Sequence, residues 1–217
     1  AKIEQSPMGA YQWMIVVMAA IMNLLDGFDV LALAFTATAI RGEFGLTGIE
    51  LGYLLSAGLF GMTAGSLFLA PLADKIGRRP LLLMAVSLSA IGMLGSAFIS
   101  QYQWLGFWRV ITGLGVGGIL VGTNVITSEY SSRKWRSFAI SVYAAGFGIG
   151  AVLGGMFAVM LQGEYGWRSV FLAGAILTAL LLVILFIWLP ESIDFLTSKQ
   201  PKNAEVRLNL IAKKIGL

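Results

Sequence analysis

The sequence contains no cysteine and no histidine among its 217 residues. This excludes disulfides, thiolate nucleophiles and imidazole-bound metals. Charged residues are also scarce, at 12% against about 25% in soluble domains. By contrast, 58% of the residues are hydrophobic and the mean hydropathy is +0.83. The composition indicates an integral membrane protein, for which we expect no enzymatic activity, no cofactor and no metal ion.

Six apolar runs divide the chain, each long enough to cross a bilayer as a helix. They lie at about 12–40, 48–73, 80–99, 103–130, 137–161 and 168–189. The fold class predicted is therefore an all-α membrane protein, with a six-transmembrane-helix bundle over residues 1–190. Residues 191–217 are predicted to be cytoplasmic and to contain an amphipathic helix, capped by Asn203 and suited to the membrane surface.

Short signals mark several helix ends. Thr47 and Glu50 have the spacing of a capping box at the start of the second span. Gly77 permits a tight turn before the third span, and Pro80 suits a helix start. Pro190 is expected to end the sixth span.

Lysine and arginine are concentrated in alternate connectors, which indicates the orientation of the chain. The other connectors carry only Arg41 and Arg168, together with three glutamates. Both termini are therefore predicted to be cytoplasmic, in an inner membrane. Because the positive charges lie at membrane borders, no nucleic-acid partner is expected. The basic residues on the cytoplasmic side are Lys2, Lys75, Arg78, Arg79, Arg133, Lys134, Arg136, Lys199, Lys202, Arg207, Lys213 and Lys214.

Asp26 and Asp29 interrupt the first apolar span. A charged side chain at the centre of a bilayer costs about 2.5–3.5 kcal/mol, so a pair costs about 5–7 kcal/mol. Residues three apart share a helix face, and we expect both carboxylates to point into a polar, water-reachable interior. Two carboxylates close together in a low dielectric cannot both ionise cheaply. The pair is therefore a candidate proton-carrying site.

Arg109 lies about six residues inside the fourth span. Arginine stays ionised when buried and needs an anionic partner. Asp29 or a substrate carboxylate is expected to supply it. Phe28, Asn124 and Tyr143 are further candidates for the wall of the same cavity.

The 27 glycines are concentrated in the second, fourth and fifth spans. In the fifth span Gly146, Gly150 and Gly154 recur at every fourth residue. Small residues at this spacing let two membrane helices approach closely, so we predict close helix packing here. A sliding surface for a rocking motion would use the same groove.

The connector at residues 70–80 reads APLADKIGRRP and resembles the signature between the second and third helices of the major facilitator superfamily. Ala70 and Lys75 stand where that signature has Gly and Arg. Arg109 with its following glycines is similar to the fourth-helix motif of the superfamily. The resemblance implies a cytoplasmic latch against the other half of a transporter. Its residues are Asp74, Gly77, Arg78, Arg79 and Glu129, with Glu129 pairing near Arg78 and Arg79.

Residues 25–30, LDGFDV, resemble the aromatic acid/proton symporter family, as do residues 165–168 and 189–196. The likeness covers the N-terminal half of that twelve-helix fold, so residues 191–217 begin its central loop. It implies a proton-coupled symporter that imports an aromatic or related organic carboxylate. The partners implied are that acid, a proton, the lipid bilayer, and a C-terminal six-helix half or a second copy. The alternatives are a sugar- or drug-type porter of the superfamily, or a non-transporting six-helix scaffold.

Overall fold

The computed structural model describes residues 8–201 and 204–215, all in helices and short connections. The Asn203 cap, Lys2 and Lys202 lie outside the described residues. The eight helices of the described part are α1 (Ala10–Phe44), α2 (Gly48–Ile76), α3 (Arg78–Ala97), α4 (Tyr102–Tyr130), α5 (Arg136–Tyr165), α6 (Arg168–Trp188), α7 (Ile193–Lys199) and α8 (Ala204–Ile215).

The first six helices are long and apolar enough to cross a membrane. This confirms the all-α fold class and the six-helix bundle. The helix ends lie up to four residues beyond the apolar runs, except that α3 ends two residues and α6 one residue before its run. Helix α1 is the longest, with 35 residues.

The local signals for helix ends act as predicted. The backbone N–H of Thr47 donates to the Glu50 carboxylate at 2.8 Å, and the Glu50 N–H donates to the Thr47 hydroxyl at 3.3 Å. The capping box is therefore confirmed. Gly77 joins α2 to α3 with a φ of 103°, a conformation that favours glycine. Helix α6 ends at Trp188, two residues before Pro190.

Replacing Thr47 with alanine is expected to lower the free energy of unfolding by about 1 kcal/mol, because the Glu50 N–H at the start of α2 loses its hydroxyl acceptor and the Glu50 carboxylate loses a donor. Unfolding of the purified chain by titration with a denaturing detergent measures the change. Thr63→Ala is the matched control, since the exposed Thr63 hydroxyl donates only to Leu59 of its own helix. An equal loss in both variants would contradict a role for the cap.

Helix α1 packs most extensively against α5, α2 against α4, and α3 against both α4 and α6. Glycines set the close approaches. A Cβ at Gly150 would meet the backbone carbonyl of Leu24, and one at Gly146 would meet that of Ala20. Across the α2–α4 contact, a Cβ at Gly113 would meet the carbonyl of Gly58. The predicted close packing is confirmed.

One end of the bundle gathers the start of α1, the α2–α3 turn, the end of α4, and helices α7 and α8. We call it the basic end. There the Gln12 side-chain amide donates to the Tyr130 carbonyl oxygen at 2.7 Å, and the Tyr130 hydroxyl donates to the Glu191 carbonyl oxygen at 2.7 Å. Helix α8 buries Ile211 and Ile215 in the same apolar cluster. Its apolar side therefore contacts the bundle.

Candidate functional site

Asp29 lies inside the bundle, where α1 faces α3 and α4, and only 1% of its surface is exposed. Its Oδ2 atom accepts a hydrogen bond from the Ser89 hydroxyl of α3 at 2.6 Å. Its Oδ1 atom is buried without a hydrogen-bond partner among the described residues. A buried carboxylate with one oxygen unsatisfied is costly when ionised.

The Arg109 guanidinium is also buried, with 3% of the residue exposed. Its Nη1 donates to the backbone carbonyl oxygen of Asp29 at 2.8 Å, while its Nη2 contacts the Thr112 hydroxyl at 3.0 Å and the Met93 sulfur at 2.9 Å. The ring of Phe171 lies 5.2 Å from the guanidinium carbon. The Asp29 carboxylate, one of the two anions expected to pair with Arg109, accepts none of these hydrogen bonds, although the two charges attract each other.

Asp26 lies one helical turn before Asp29 and is equally buried, at 1% exposure. Its Oδ2 atom has no hydrogen-bond partner among the residues described. One turn earlier, the Asn23 amide donates to the Tyr143 carbonyl oxygen of α5 at 2.8 Å. Asn23, Asp26 and Asp29 thus form a buried polar stripe along α1, on the interior side and away from lipid.

A cavity of about 30 Å³ lies between α1, α2 and α4. Its polar wall consists of Asp29, Arg109 and Thr112, and its apolar wall includes Leu33 and Val116. This volume has room for one or two water molecules and is too small for an aromatic acid. Any substrate of that size would need space outside this cavity.

The other cavity candidates lie elsewhere. Phe28 packs between Gly154 of α5 and Gly174 of α6, so it fills the helix contact and does not line the cavity. Tyr143 is buried, and its hydroxyl lies 3.3 Å from that of Thr123. Asn124 is exposed on α4. Tyr143 and Asn124 are also absent from the cavity wall.

At the basic end, Arg78 forms an ion pair with Asp74, one turn away, at 2.6 Å. Gly77 lies against the Glu191 carboxylate, which accepts the Arg79 backbone N–H at 3.0 Å. A carboxylate at the first turn of α3 is favoured by the helix dipole. The acidic partner of the α2–α3 turn is thus Glu191, which the sequence pattern did not single out.

The expected pairing of Glu129 with Arg78 and Arg79 is not what the structure contains. The Glu129 carboxylate instead accepts the Ser192 hydroxyl at 2.8 Å and the Ile193 backbone N–H at 2.8 Å. These groups stand at the start of α7, where unpaired N–H groups attract a carboxylate. Glu129 therefore fixes α7 to the end of α4.

Sequence reasoning missed Asn23, Ser89 and Met93. Asn23 was detectable, because it precedes Asp26 at the spacing that separates Asp26 from Asp29. Ser89 is one of several small polar residues in α3, and its role depends on which of them faces α1. Met93 gave no chemical signal, since methionine is common in apolar cores.

Comparison with known proteins identifies a family that this chain matches over most of its length. The model of the Major Facilitator Superfamily matches residues 19–213. Over 204 residues the chain is 36% identical to a gallate transporter of Pseudomonas putida, covering 94% of this chain and 45% of that protein. It is 35% identical to the 4-hydroxybenzoate transporter PcaK of Pseudomonas putida, covering 96% of this chain and 46% of that one.

Among solved structures, the proton:xylose symporter XylE bound to 6-bromo-6-deoxy-D-glucose superposes with a TM-score of 0.83 at 23% identity. The superposition covers 95% of this chain and 50% of that one. At this identity the likeness is one of fold. The chain spans about half the length of the curated relatives it matches.

Proposed function

Since the chain belongs to the Major Facilitator Superfamily, we propose that it forms the N-terminal six-helix half of a proton-coupled symporter that imports an aromatic or related organic carboxylate. Transporters of this architecture place their sites between two six-helix bundles. The remaining wall of the substrate site then comes from a second bundle, either a C-terminal half or a second copy of this chain. The proposal places the protein in the inner membrane, with the basic end and both termini in the cytoplasm.

The observation that carries the proposal is the set of hydrogen-bond partners of Arg109. Its hydrogen bonds go to a backbone carbonyl, a hydroxyl and a sulfur, so no carboxylate among the described residues accepts a hydrogen bond from this buried guanidinium, and Asp29 acts on it only by attraction between the charges. In a low-dielectric setting such a charge strongly favours an anion. A substrate carboxylate is the anion that the names of the relatives suggest, since gallate and 4-hydroxybenzoate are both aromatic carboxylates.

Asp26 and Asp29 supply the proton-carrying groups in this proposal. When a substrate anion reaches Arg109, a second negative charge on Asp29 would be repelled, so a proton on the pair accompanies the substrate. Release of both to the cytoplasm resets the site. Asp74, Arg78, Arg79 and Glu129 would act at the basic end, where they order the α2–α3 turn and α7 for contact with the second bundle.

Uptake by the full-length product of the gene that encodes this chain, reconstituted in liposomes, tests the proposal. An imposed inward proton gradient is expected to drive accumulation of labelled 4-hydroxybenzoate, and benzoate is expected to compete with it. Phenol is the control competitor, because it keeps the ring and lacks the carboxylate that Arg109 would bind. Equal competition by phenol would refute this function. Accumulation of 4-hydroxybenzoate that does not depend on the proton gradient would refute it as well.

A further inference from the structure

A cleft of about 260 Å³ at the basic end lies between the start of α1, the end of α6 and helix α8. Three basic side chains line it: Arg79 from α3, and Arg207 and Lys214 from α8. Arg207 and Lys214 are exposed. Lys214 lies over the ring of Tyr11, with its nitrogen 5.1 Å from the ring centroid. Cations from two separate helices therefore converge on one concave surface.

The acidic residue of the cleft is already engaged. Glu191 lines the same surface, but its Oε1 atom accepts the backbone N–H groups of Arg79 and Ser192, each at 3.0 Å. The Arg79 Nε–H is buried and has no hydrogen-bond partner among the described residues. The lining thus holds three cations and one carboxylate, which favours an anionic occupant.

A separate apolar groove of about 660 Å³ lies between α3 and α6 on the outside of the bundle. Leu83, Met84 and Ile91 form one wall, and Val183 and Phe186 form the other. From Leu83 to Ile91 the helix rises about 12 Å. One leaflet of the hydrocarbon core is about 15 Å thick, so the groove runs along most of a leaflet.

Arg79 connects the cleft to the groove. Its Nη2 atom donates to the Phe186 carbonyl oxygen at 2.6 Å, and its guanidinium carbon lies 5.9 Å from the centroid of the Phe186 ring. Leu83 follows Arg79 by one helical turn, and Trp188 of the cleft follows Phe186 by two residues. The basic cleft therefore adjoins the apolar groove between α3 and α6.

We propose that this composite surface is a binding site for an anionic glycerophospholipid. The phosphate group binds Arg79, Arg207 and Lys214, and an acyl chain occupies the α3–α6 groove. Basic recesses beside transmembrane helices bind anionic headgroups by this combination of charge and apolar contact. The bound lipid would hold α8 against α3 and α6. This inference does not depend on the transported substrate.

Native mass spectrometry of the full chain in detergent, titrated with dioleoyl phosphatidylglycerol or dioleoyl phosphatidylcholine, tests the site. The first phosphatidylglycerol is expected to bind at least about tenfold more tightly than phosphatidylcholine. Each lost cation is expected to weaken phosphatidylglycerol binding roughly fivefold. In the variant Arg207→Gln/Lys214→Gln the affinity for phosphatidylglycerol is therefore expected to fall by up to about 30-fold.

The control variant Arg133→Gln/Lys134→Gln removes two exposed cations from the α4–α5 connector at the same end of the bundle. It is expected to keep the wild-type affinity. An equal loss in both double variants would overturn the proposal, because it would mean diffuse attraction to positive charge. Equal binding of the two lipids to the wild-type chain would overturn it as well, because the cleft would then not select an anionic headgroup.

A second pair of variants tests whether the ligand is a lipid or free phosphate. Val183→Trp fills the groove, whereas Val152→Trp places the same side chain at an exposed position of α5 outside it. Only Val183→Trp is expected to weaken phosphatidylglycerol binding, by about fivefold. Millimolar inorganic phosphate is expected to leave the bound lipid in place. Displacement by phosphate, with no effect of Val183→Trp, would assign the cleft to free phosphate and overturn the lipid site.

Discussion

Asp29→Asn is expected to abolish proton-driven accumulation of the acid, with the initial rate under a proton gradient falling by about 100-fold, within the range typical of lost proton-transfer groups. The physical reason is that asparagine cannot exchange a proton, although it keeps the shape of the side chain and can still accept from Ser89. Exchange of labelled for unlabelled substrate across the membrane, which needs no net proton movement, is expected to continue.

Two comparisons sharpen this test. Asp194→Asn is the matched control, because Asp194 is exposed at the start of α7 and the same chemical change is then made outside the bundle. Asp26→Asn tests whether the two carboxylates act as a pair, and a partial loss of coupling is expected. Full coupling in both Asp26→Asn and Asp29→Asn would contradict the proton-carrying role, whatever the substrate proves to be.

Gly150→Ala is expected to lower the free energy of unfolding by about 3 kcal/mol, at the upper end of the usual cost of overpacking. The added methyl group would meet the backbone carbonyl of Leu24, and a backbone cannot turn away as a side chain can. Helix α1 would be pushed from α5 near Asp26, so loss of proton coupling is expected as well. Detergent-induced unfolding of the purified chain measures the stability.

Gly148→Ala is the control for this prediction. It lies two residues away on α5, carries the same change in helix propensity, and has nothing within 4 Å of an added Cβ. It is expected to match or slightly exceed the wild-type stability, because alanine is the better helix former. Equal destabilisation by both substitutions would show that the close α1–α5 contact is not what makes Gly150 necessary.

The membrane class, the six helices and most of their ends were predictable from local chemistry. Length and hydropathy define a transmembrane helix almost independently of its neighbours, since every backbone group in lipid must be satisfied within the segment. The Thr47–Glu50 cap is likewise local, because its partners are three residues apart. The resemblance to the major facilitator superfamily was also confirmed.

The partners of the charged groups were not predictable. The sequence offered the Asp29 carboxylate or a substrate carboxylate as the partner of Arg109, and the family resemblance implied that Glu129 pairs near the arginines of the α2–α3 turn. The structure instead joins Arg109 to the Asp29 backbone and Glu129 to the start of α7. Opposite charges far apart in sequence suggest a pair, but backbone carbonyl and N–H groups compete for the same charged side chains. Because almost every residue carries these groups, the sequence does not show which of them a charged side chain will meet.

By itself, the sequence determined that this chain crosses a membrane six times and that two acids and one arginine must avoid lipid, because hydropathy and the cost of a buried charge depend only on residue type. The tertiary structure alone decided which groups those residues meet, because helix rotation and register are set by close packing at glycines such as Gly150. In the described part of the chain no carboxylate accepts a hydrogen bond from Arg109, and the proposed binding of a substrate anion depends on that result.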